Sequence, residues 1–406
     1  MSIRTRPASR ISRTVVLLGA VSLLSDVSSE GIYPLIPLFL INVLHAQVSA
    51  VGLIEGIAES SASILRIFSG RLSDVLGNRK WIATAGYSLS TVSKPLFALA
   101  ASWPQVLGIR FADRVGKGIR TAPRDALIAD VTPAAIRGVS FGLHRTMDTI
   151  GAVTGPLLAL WLLGILTRGH GYSIPHSYRT IFLLSAIPAT LAVLILVFFV
   201  KEQKSTKADG EMIPSLSLKS LGKPFKLFLL VTVVFAIGNS SDAFLILRAQ
   251  NLGISPSKIL LIYVVFNSVE AIFATGAGAV SDKVGRRNVV LAGYLVFAVV
   301  YLGFALARHA AAVWALFAVY GLYNALTLGV QKAFATDLIP AGLRGTGLGA
   351  YHMLAGLALL PASVIAGLLW ERLSPAAPFF FGASTAAIAA LLIGMLFRSS
   401  ATCTDR

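Results

Sequence analysis

The sequence predicts an all-α membrane protein with twelve transmembrane helices. The chain has 406 residues, of which 55% are hydrophobic and only 13% are charged, whereas soluble domains carry about 25% charged residues. Its mean hydropathy is +0.77. Apolar stretches recur along the whole length, and each is about as long as the 20 residues that cross a hydrocarbon core. Together these observations exclude a soluble globular protein.

Polar turns and helix breakers divide the apolar stretches into separate spans. We place the twelve spans at 14–44, 49–72, 81–101, 104–130, 138–166, 179–200, 225–250, 257–280, 288–307, 310–338, 343–371 and 374–397. Because the number of spans is even, both termini are expected on one side of the membrane.

Basic residues concentrate in every second connection. Four arginines precede span 1, and five lysines lie between spans 6 and 7 with a sixth, Lys226, at the start of span 7, whereas the connections on the other side hold few basic residues. The basic side of a membrane protein is cytoplasmic. We therefore expect an integral multi-pass protein of the cell inner membrane with both termini in the cytoplasm. The net charge of +17 then reflects membrane topology, and we expect no nucleic-acid partner.

Two sequence patterns occur once in each half of the chain. "GRLSDVLGNRK" at 70–80 aligns with "GAVSDKVGRRN" at 278–288, and "ADVTPAAIRG" at 129–138 aligns with "TDLIPAGLRG" at 336–345. The spacings are 208 and 207 residues, so a six-helix unit is duplicated. We expect two pseudo-symmetric six-helix bundles, with the N-terminal bundle at 1–200, a cytoplasmic linker at 201–224 and the C-terminal bundle at 225–406.

The first repeated pattern combines glycines with an acid and basic residues. Its members are Gly70, Asp74, Gly77, Arg79 and Lys80 in one copy and Gly278, Asp282, Gly285 and Arg287 in the other. Glycine permits tight turns and close helix contacts, and the carboxylate can pair with a helix N-terminus or an arginine. We expect a cytoplasmic latch between the halves, with a plain charged loop as the alternative. Neither interpretation predicts substrate binding at this loop.

Span 4 carries a dense run of charge, "DRVGKGIRTAPRDALIAD" at 113–130. At about 100° per residue, one arc of about 80° of a helix holds Arg110, Asp113, Lys117, Arg120 and Arg124. One ionised group near the bilayer centre costs at least about 2.5 kcal/mol. This face must therefore line a water-filled cavity or contact partner charges, which predicts an amphipathic span.

Partners are available in the same half, as pairs four residues apart that share a helix face. The candidate coupling and cavity residues are Asp26, Glu30, Glu55, Glu59, Asp113, Arg114, Lys117, Arg120, Arg124, His144, Arg145, Asp148 and, in the second half, Asp242. Intramembrane acids and histidines are typical of proton relays. The alternative to a proton relay is a network in which every charge is paired for structural reasons and none moves. The "GNSSD" segment at 238–242 predicts a loosened helix that lines substrate, or a simple interhelical hydrogen bond.

Three motifs resemble those of the major facilitator superfamily. "GRLSDVLGNRK" resembles the family's loop between helices 2 and 3, although Asn78 stands where the family usually has arginine. "RVGKG" at 114–118 resembles the span-4 pattern R-x-x-Q-G, with Lys117 in place of the glutamine. "GAVTGP", with Gly151, Gly155 and Pro156, resembles the span-5 signature of antiporters but lacks its trailing glycine pair. The resemblance implies alternating access, a role for Arg114 in proton transfer, and the drug and metabolite antiporter branch.

These observations predict a proton-coupled antiporter that exports a small organic or anionic molecule or a drug. We expect a monomer whose partners are a small-molecule substrate, protons and the lipid bilayer, with the proton gradient in place of a cofactor. No P-loop or Cys/His metal cluster is present in the sequence, and the single cysteine is Cys403. The alternatives are a divalent-metal exporter, because nickel permeases are similar in spans 1 and 4, and a lipid-modifying membrane enzyme. We expect the protein not to be an enzyme.

Overall fold

The computed structural model describes residues 11–133, 136–202, 221–340 and 343–397, apart from the side chains of 344–346. All regular structure in these ranges is helical. The α-helices are α1 (Arg13–Ile32), α2 (Leu35–Asn42), α3 (Val48–Leu76), α4 (Arg79–Leu96), α5 (Trp103–Asp130), α6 (Arg137–Gly164), α7 (Ile174–Leu184), α8 (Ala186–Phe199), α9 (Lys223–Gly238), α10 (Ala243–Asn251), α11 (Pro256–Val284), α12 (Arg286–Leu306), α13 (Ala310–Leu338), α14 (Arg344–Arg372) and α15 (Ala377–Leu396). Most of the predicted linker, the arginines before residue 11 and Cys403 lie outside the described residues.

Each of the twelve predicted spans contains one helix or two consecutive helices. Within the described residues, ten stretches are long and apolar enough to cross a membrane. The two remaining spans are α4 and α5, whose charged side chains reduce their hydropathy without shortening the helices. The predicted all-α membrane fold with twelve transmembrane helices is therefore confirmed.

Span 7 is interrupted in its middle, as its polar segment predicts. Helix α9 ends at Gly238 and α10 begins at Ala243. Serine, asparagine and aspartate side chains compete for backbone hydrogen bonds. Here the Ser241 hydroxyl accepts from the Ala243 N–H at 3.3 Å, and the Ser241 N–H donates to the Ser363 hydroxyl at 3.3 Å. These contacts replace part of the helical ladder.

The repeated loops differ in length by one residue. Gly77 and Asn78 separate α3 from α4, whereas Gly285 alone separates α11 from α12. Gly77 has a φ of 62° and Gly285 a φ of 89°, which glycine adopts without a steric penalty. The shorter second loop accounts for the change in repeat spacing from 208 to 207 residues.

The chain packs into two compact units. The first contains the described parts of 1–33, 65–100 and 108–210, and the second those of 34–64, 101–107 and 211–406. Within the second unit, the Ser60 hydroxyl donates to the Gly356 carbonyl at 2.8 Å. The predicted bundles at 1–200 and 225–406 follow the sequence repeat, and this domain division stays a prediction.

Glycines bring α1 and α6 into backbone contact in the first unit. A Cβ atom at Gly151 would lie 2.6 Å from the Leu23 carbonyl oxygen, and one at Gly155 would lie 2.6 Å from that of Val27. Any larger side chain would separate the helices. The glycines of the "GAVTGP" motif thus form a close contact between two helices.

The second unit has an aromatic core beside the break in span 7. Phe235 stacks on Tyr294 with ring centroids 4.1 Å apart, and Phe297 stacks on Tyr301 at 3.9 Å. All four rings are buried. Offset aromatic pairs add about 0.5–1.5 kcal/mol each beyond their area burial, so α9 stays packed although the span is discontinuous.

Replacing Gly155 with alanine should destabilise the protein. The new Cβ would meet the backbone of Val27 and Gly31, and overpacking of this kind costs about 1–3 kcal/mol. The measurement is thermal or denaturant unfolding in detergent, followed by circular dichroism. Gly142→Ala on the same helix is the control, because its Cβ would meet no atom within 4 Å. An equal loss in both variants would contradict the contact.

Candidate functional site

The charged face of α5 points into the first unit. Arg110, Asp113, Arg114 and Arg120 are 3%, 6%, 5% and 4% exposed, whereas Phe111 on the other face is 44% exposed. Lys117 and Arg124 are half-buried. The amphipathic character predicted for span 4 is confirmed, because the charges avoid the lipid-facing side.

Helix α4 lies directly against this face. A Cβ at Gly86 would be 2.6 Å from the Gly116 carbonyl oxygen, and one at Gly116 would be 2.6 Å from that of Gly86. This glycine contact leaves no room for other side chains between the helices at that level. We call the surrounding polar contact the α4–α5 seam; it consists of Tyr87, Ser90 and Lys94 on α4 and Asp113, Gly116 and Arg120 on α5.

Asp113 is the acid at the centre of the α4–α5 seam. The Ser90 hydroxyl donates to its carboxylate, and Arg110 Nη1 lies 3.6 Å from its Oδ2 atom. Arg114 and Lys94 also interact with it electrostatically. A single buried carboxylate therefore interacts with several cations inside a membrane-spanning segment.

Lys94 is a seam residue that the sequence analysis missed. Its side chain is 1% exposed, and its ammonium group donates no hydrogen bond to any described residue. It interacts electrostatically with Asp113 and Arg120. The sequence contained a signal for it, because Lys94 is the only charged residue within predicted span 3. An ionisable residue inside a membrane span indicates a functional site. Its spacing of seven from Tyr87 places both residues on one helix face.

Two arginines of α5 have defined partners nearby. The Arg120 guanidinium lies over the ring of Tyr87, with its Cζ atom 4.3 Å from the centroid. Arg124 donates to the Ser22 hydroxyl at 3.0 Å and to the Asp125 carboxylate at 2.8 Å. Tyr87, Ser22 and Asp125 were not predicted, because their roles depend on contacts between helices.

The acids predicted on spans 1 and 5 lie within the same unit. Asp26 interacts electrostatically with Glu30, Asp148 and Lys117. His144 Nδ1 is 3.5 Å from the Asp148 carboxylate, which confirms their predicted shared face. Asp26 and Glu30 are half-buried and His144 is buried, whereas Arg145 is exposed.

The predicted polar residues of the second unit are fewer. The Tyr320 hydroxyl donates to the Asp242 carboxylate at 2.7 Å, next to the interruption of span 7. The Ser241 hydroxyl donates to Glu55 at 3.4 Å. Glu55 is 2% exposed, and Glu59, one turn along α3, is half-buried. The first unit is thus rich in cations, whereas these residues are acids with hydroxyl partners.

The first latch loop forms a compact ion-pair cluster. Arg79 lies 3.0 Å from Asp74 and 2.6 Å from Asp130. The Glu202 carboxylate accepts from the backbone N–H groups of Arg79 at 3.1 Å and Lys80 at 2.8 Å. It therefore caps the N-terminus of α4, where unpaired donors and the helix dipole favour an anion.

The second latch loop repeats the ion pairs with a shifted residue. Arg286 lies 2.7 Å from Asp337 and 3.5 Å from Asp282. The sequence alignment matched Arg79 with Arg287, but Arg286 makes the equivalent contacts because the second loop is one residue shorter. Arg287 instead donates to the Gly394 carbonyl at 2.9 Å.

The remaining motif residues differ in how closely they are packed. A Cβ at Gly70 would lie 3.2 Å from the Ala122 side chain, whereas one at Gly278 would meet no atom within 4 Å. Pro156 lies inside the continuous helix α6 and does not end it.

Among the residues that the structure describes, no group of three or more His, Cys, Asp and Glu side chains could hold a metal ion.

The comparison with known families decides the classification. The family model described as Major Facilitator Superfamily matches residues 18–247 and 227–404. The chain belongs to the major facilitator superfamily. It is therefore a transporter-family protein of the membrane, and its substrate class is a small molecule.

Curated relatives cover most of the chain. The uncharacterised MFS-type transporter MJ1317 of Methanocaldococcus jannaschii is 38% identical over 389 residues, which are 94% of both proteins. The cis,cis-muconate transport protein of Acinetobacter baylyi is 22% identical over 77% of each. The multi-drug resistance efflux pump PmrA of Streptococcus pneumoniae is 25% identical over 69% of each.

A solved superfamily structure has the same fold. A point mutant of the nucleoside transporter NupG superposes with a TM-score of 0.78, and the match covers 95% of this chain and 100% of that one. The sequences are 12% identical, so this similarity concerns the fold alone.

Removing the carboxylate of Glu202 should weaken the first latch. Glu202→Ala leaves two N–H groups of α4 without their cap, which we expect to lower the free energy of unfolding by about 1 kcal/mol. Unfolding in detergent measures the change. Lys201→Ala is the neighbouring control, since Lys201 is exposed. A Glu202→Ala protein as stable as wild type would exclude the capping role.

Proposed function

We propose that the protein is a proton-coupled antiporter that exports a small organic or anionic molecule, or a drug, by alternating access of the bundles 1–200 and 225–406. The observation that carries this proposal is Asp113, a carboxylate buried among cations within a transmembrane helix. Intramembrane acids of this kind mark proton and substrate pathways.

Protonation of such an acid changes the net charge of its surroundings. In this conformation the cations of the α4–α5 seam keep Asp113 ionised, so it accepts a proton only where those cations have another partner. A conformation that offers those cations another partner is then favoured, and proton binding shifts the population between two states. The proposed exchange uses this shift, with the proton and the cargo each favouring a different conformation.

Other acids can share the proton-binding role. Asp26, Glu30 and Asp148 lie in the first unit, and Glu59 lies on α3. Lys117 interacts with Asp26, and Arg114 interacts with Asp113, so these two cations influence which acid holds a proton. We propose that these residues form the coupling network.

The names of two relatives support the direction of transport and the cargo class. PmrA is named an efflux pump, and the Acinetobacter protein is named for transport of cis,cis-muconate, a dicarboxylate. We further propose that the protein resides as a monomer in the cell inner membrane with both termini in the cytoplasm, where the basic connections favour that side. It releases its cargo chemically unchanged and uses only the proton gradient.

Reconstitution into proteoliposomes tests the coupling. With cis,cis-muconate as an anionic probe and ethidium as a cationic one, an imposed pH gradient should drive transport of at least one probe against the proton flow. Asp113→Asn should abolish the gradient dependence, because an amide of the same shape cannot exchange a proton.

The control for this experiment is Glu371→Gln, which makes the same chemical change at an exposed site. The new amide oxygen can still accept from the Ser49 N–H, as the carboxylate does at 2.8 Å, so this variant should transport like wild type. A transport rate that does not change with the pH gradient would contradict proton coupling. Cargo that moves in the same direction as the protons would contradict antiport. Retention of a monodisperse, cooperatively unfolding Asp113→Asn protein separates loss of coupling from loss of folding.

A further inference from the structure

Two buried cations of the α4–α5 seam have donor groups without a protein partner. The Lys94 ammonium and the Nη1 atom of Arg120 donate no hydrogen bond to any described residue. The two side chains are 1% and 4% exposed. A buried charged group is costly unless it is paired and hydrogen-bonded. The α4–α5 seam therefore lacks hydrogen-bond acceptors for these two donors among the described residues.

The geometry brings the two charged groups toward each other. Helices α4 and α5 are consecutive and run antiparallel, and side chains lean toward the N-terminus of their own helix. Because Gly86 meets Gly116 and Ser90 meets Asp113, we expect Lys94 to extend along α4 toward Tyr87 and Arg120 along α5 toward Asp113. The Arg120 guanidinium is over Tyr87, two turns before Lys94 on the same face. The two cations are close enough to repel each other electrostatically.

The two acids that interact with Lys94, Asp113 and Asp26, also interact with other cations. Asp113 already accepts a hydrogen bond from Ser90 and serves Arg110 and Arg114 as well as Lys94. Asp26 on α1 interacts with Lys94 and Arg120, but it also interacts with Lys117. A further negative group between Lys94 and Arg120 would satisfy both the charge and the unpaired donors.

We propose that Lys94 and Arg120 form an anion-recognition subsite for a carboxylate or phosphate group of the cargo. This inference rests on the proposed transport function and adds the chemical group that is recognised. Arg120, whose guanidinium lies over the Tyr87 ring, supplies planar donors suited to such oxyanions, and Lys94 supplies a compact charge. Lys117 and Asp26 are half-buried beside the seam, and Asp26 interacts electrostatically with both Lys94 and Arg120.

Binding measurements on the purified full-length protein test this subsite. The probes are acetate, benzoate, cis,cis-muconate, inorganic phosphate and phenyl phosphate, each compared with chloride at equal ionic strength; benzamide is the neutral counterpart of benzoate. At least one anion, but not benzamide, should raise the unfolding temperature of wild type, because a ligand of the native state stabilises it. Carboxylate and phosphate probes distinguish the two sources of the oxyanion.

Substitutions at the two cations should remove this response. Lys94→Gln and Arg120→Gln should each weaken binding of the active anion by about 30-fold or more, the effect of removing one partner of a buried charge pair. Lys94→Arg keeps the charge and should retain most of the binding. Lys258→Gln makes the same change at an exposed lysine and should bind like wild type.

Several outcomes would overturn the subsite. These are a wild-type protein that no anion stabilises, equal stabilisation by benzamide, or unchanged affinity in Lys94→Gln or Arg120→Gln. If Lys94 serves only as the counter-ion of Asp113, the double variant Lys94→Gln/Asp113→Asn would respond to anions like wild type, which also contradicts the proposal. Because two cations are tested separately, misfolding of one variant does not hide the result.

The subsite and the proposed antiport can fail separately. Lys94-dependent anion binding combined with gradient-independent transport would support the subsite and contradict the coupling. The same binding combined with movement of cargo and protons in one direction would contradict antiport alone. Gradient-driven export with unchanged anion affinity in Lys94→Gln would support the proposed function and overturn the subsite.

Discussion

Ionised groups inside a bilayer must face one another or water, because hydrocarbon cannot solvate them. This constraint organises the first unit. Helix α5 presents its cations inward and Phe111 outward, and it can do so because α4 supplies Ser90 and Tyr87 as partners on the facing surface. The low hydropathy of these two helices is thus a consequence of the site they carry.

Close helix packing sets the distances between the charged side chains of the first unit. Gly86 and Gly116 bring the backbones of α4 and α5 together, and Gly151 and Gly155 do the same for α6 and α1. Interactions between charges strengthen as distance and local dielectric fall. Small residues at these contacts therefore control how strongly the seam charges affect one another, although they carry no charge themselves.

The two repeated loops show how a duplicated unit can retain the same ion pairs while its sequence drifts. Arg79 and Arg286 make the same pair of aspartate contacts, although they are not matched when the loops are aligned on their glycines. The inner surfaces have diverged further. The first unit has a cation-rich seam, and the second has Asp242 and Tyr320 beside an interrupted helix. The duplicated units therefore share their loop contacts but differ in the charged groups that they bury.

The sequence by itself determined the helical membrane fold, the repeat, the inward charged face of α5 and the loosening at 238–242. Each depends on periodicity, composition or local backbone chemistry, which are properties of short segments. The interaction of Lys94 with Asp113, the position of Arg120 over the Tyr87 ring and the equivalence of Arg286 with Arg79 were decided only by the tertiary structure. They depend on which residues of different helices or loops come within a few ångströms, and no single segment contains that information.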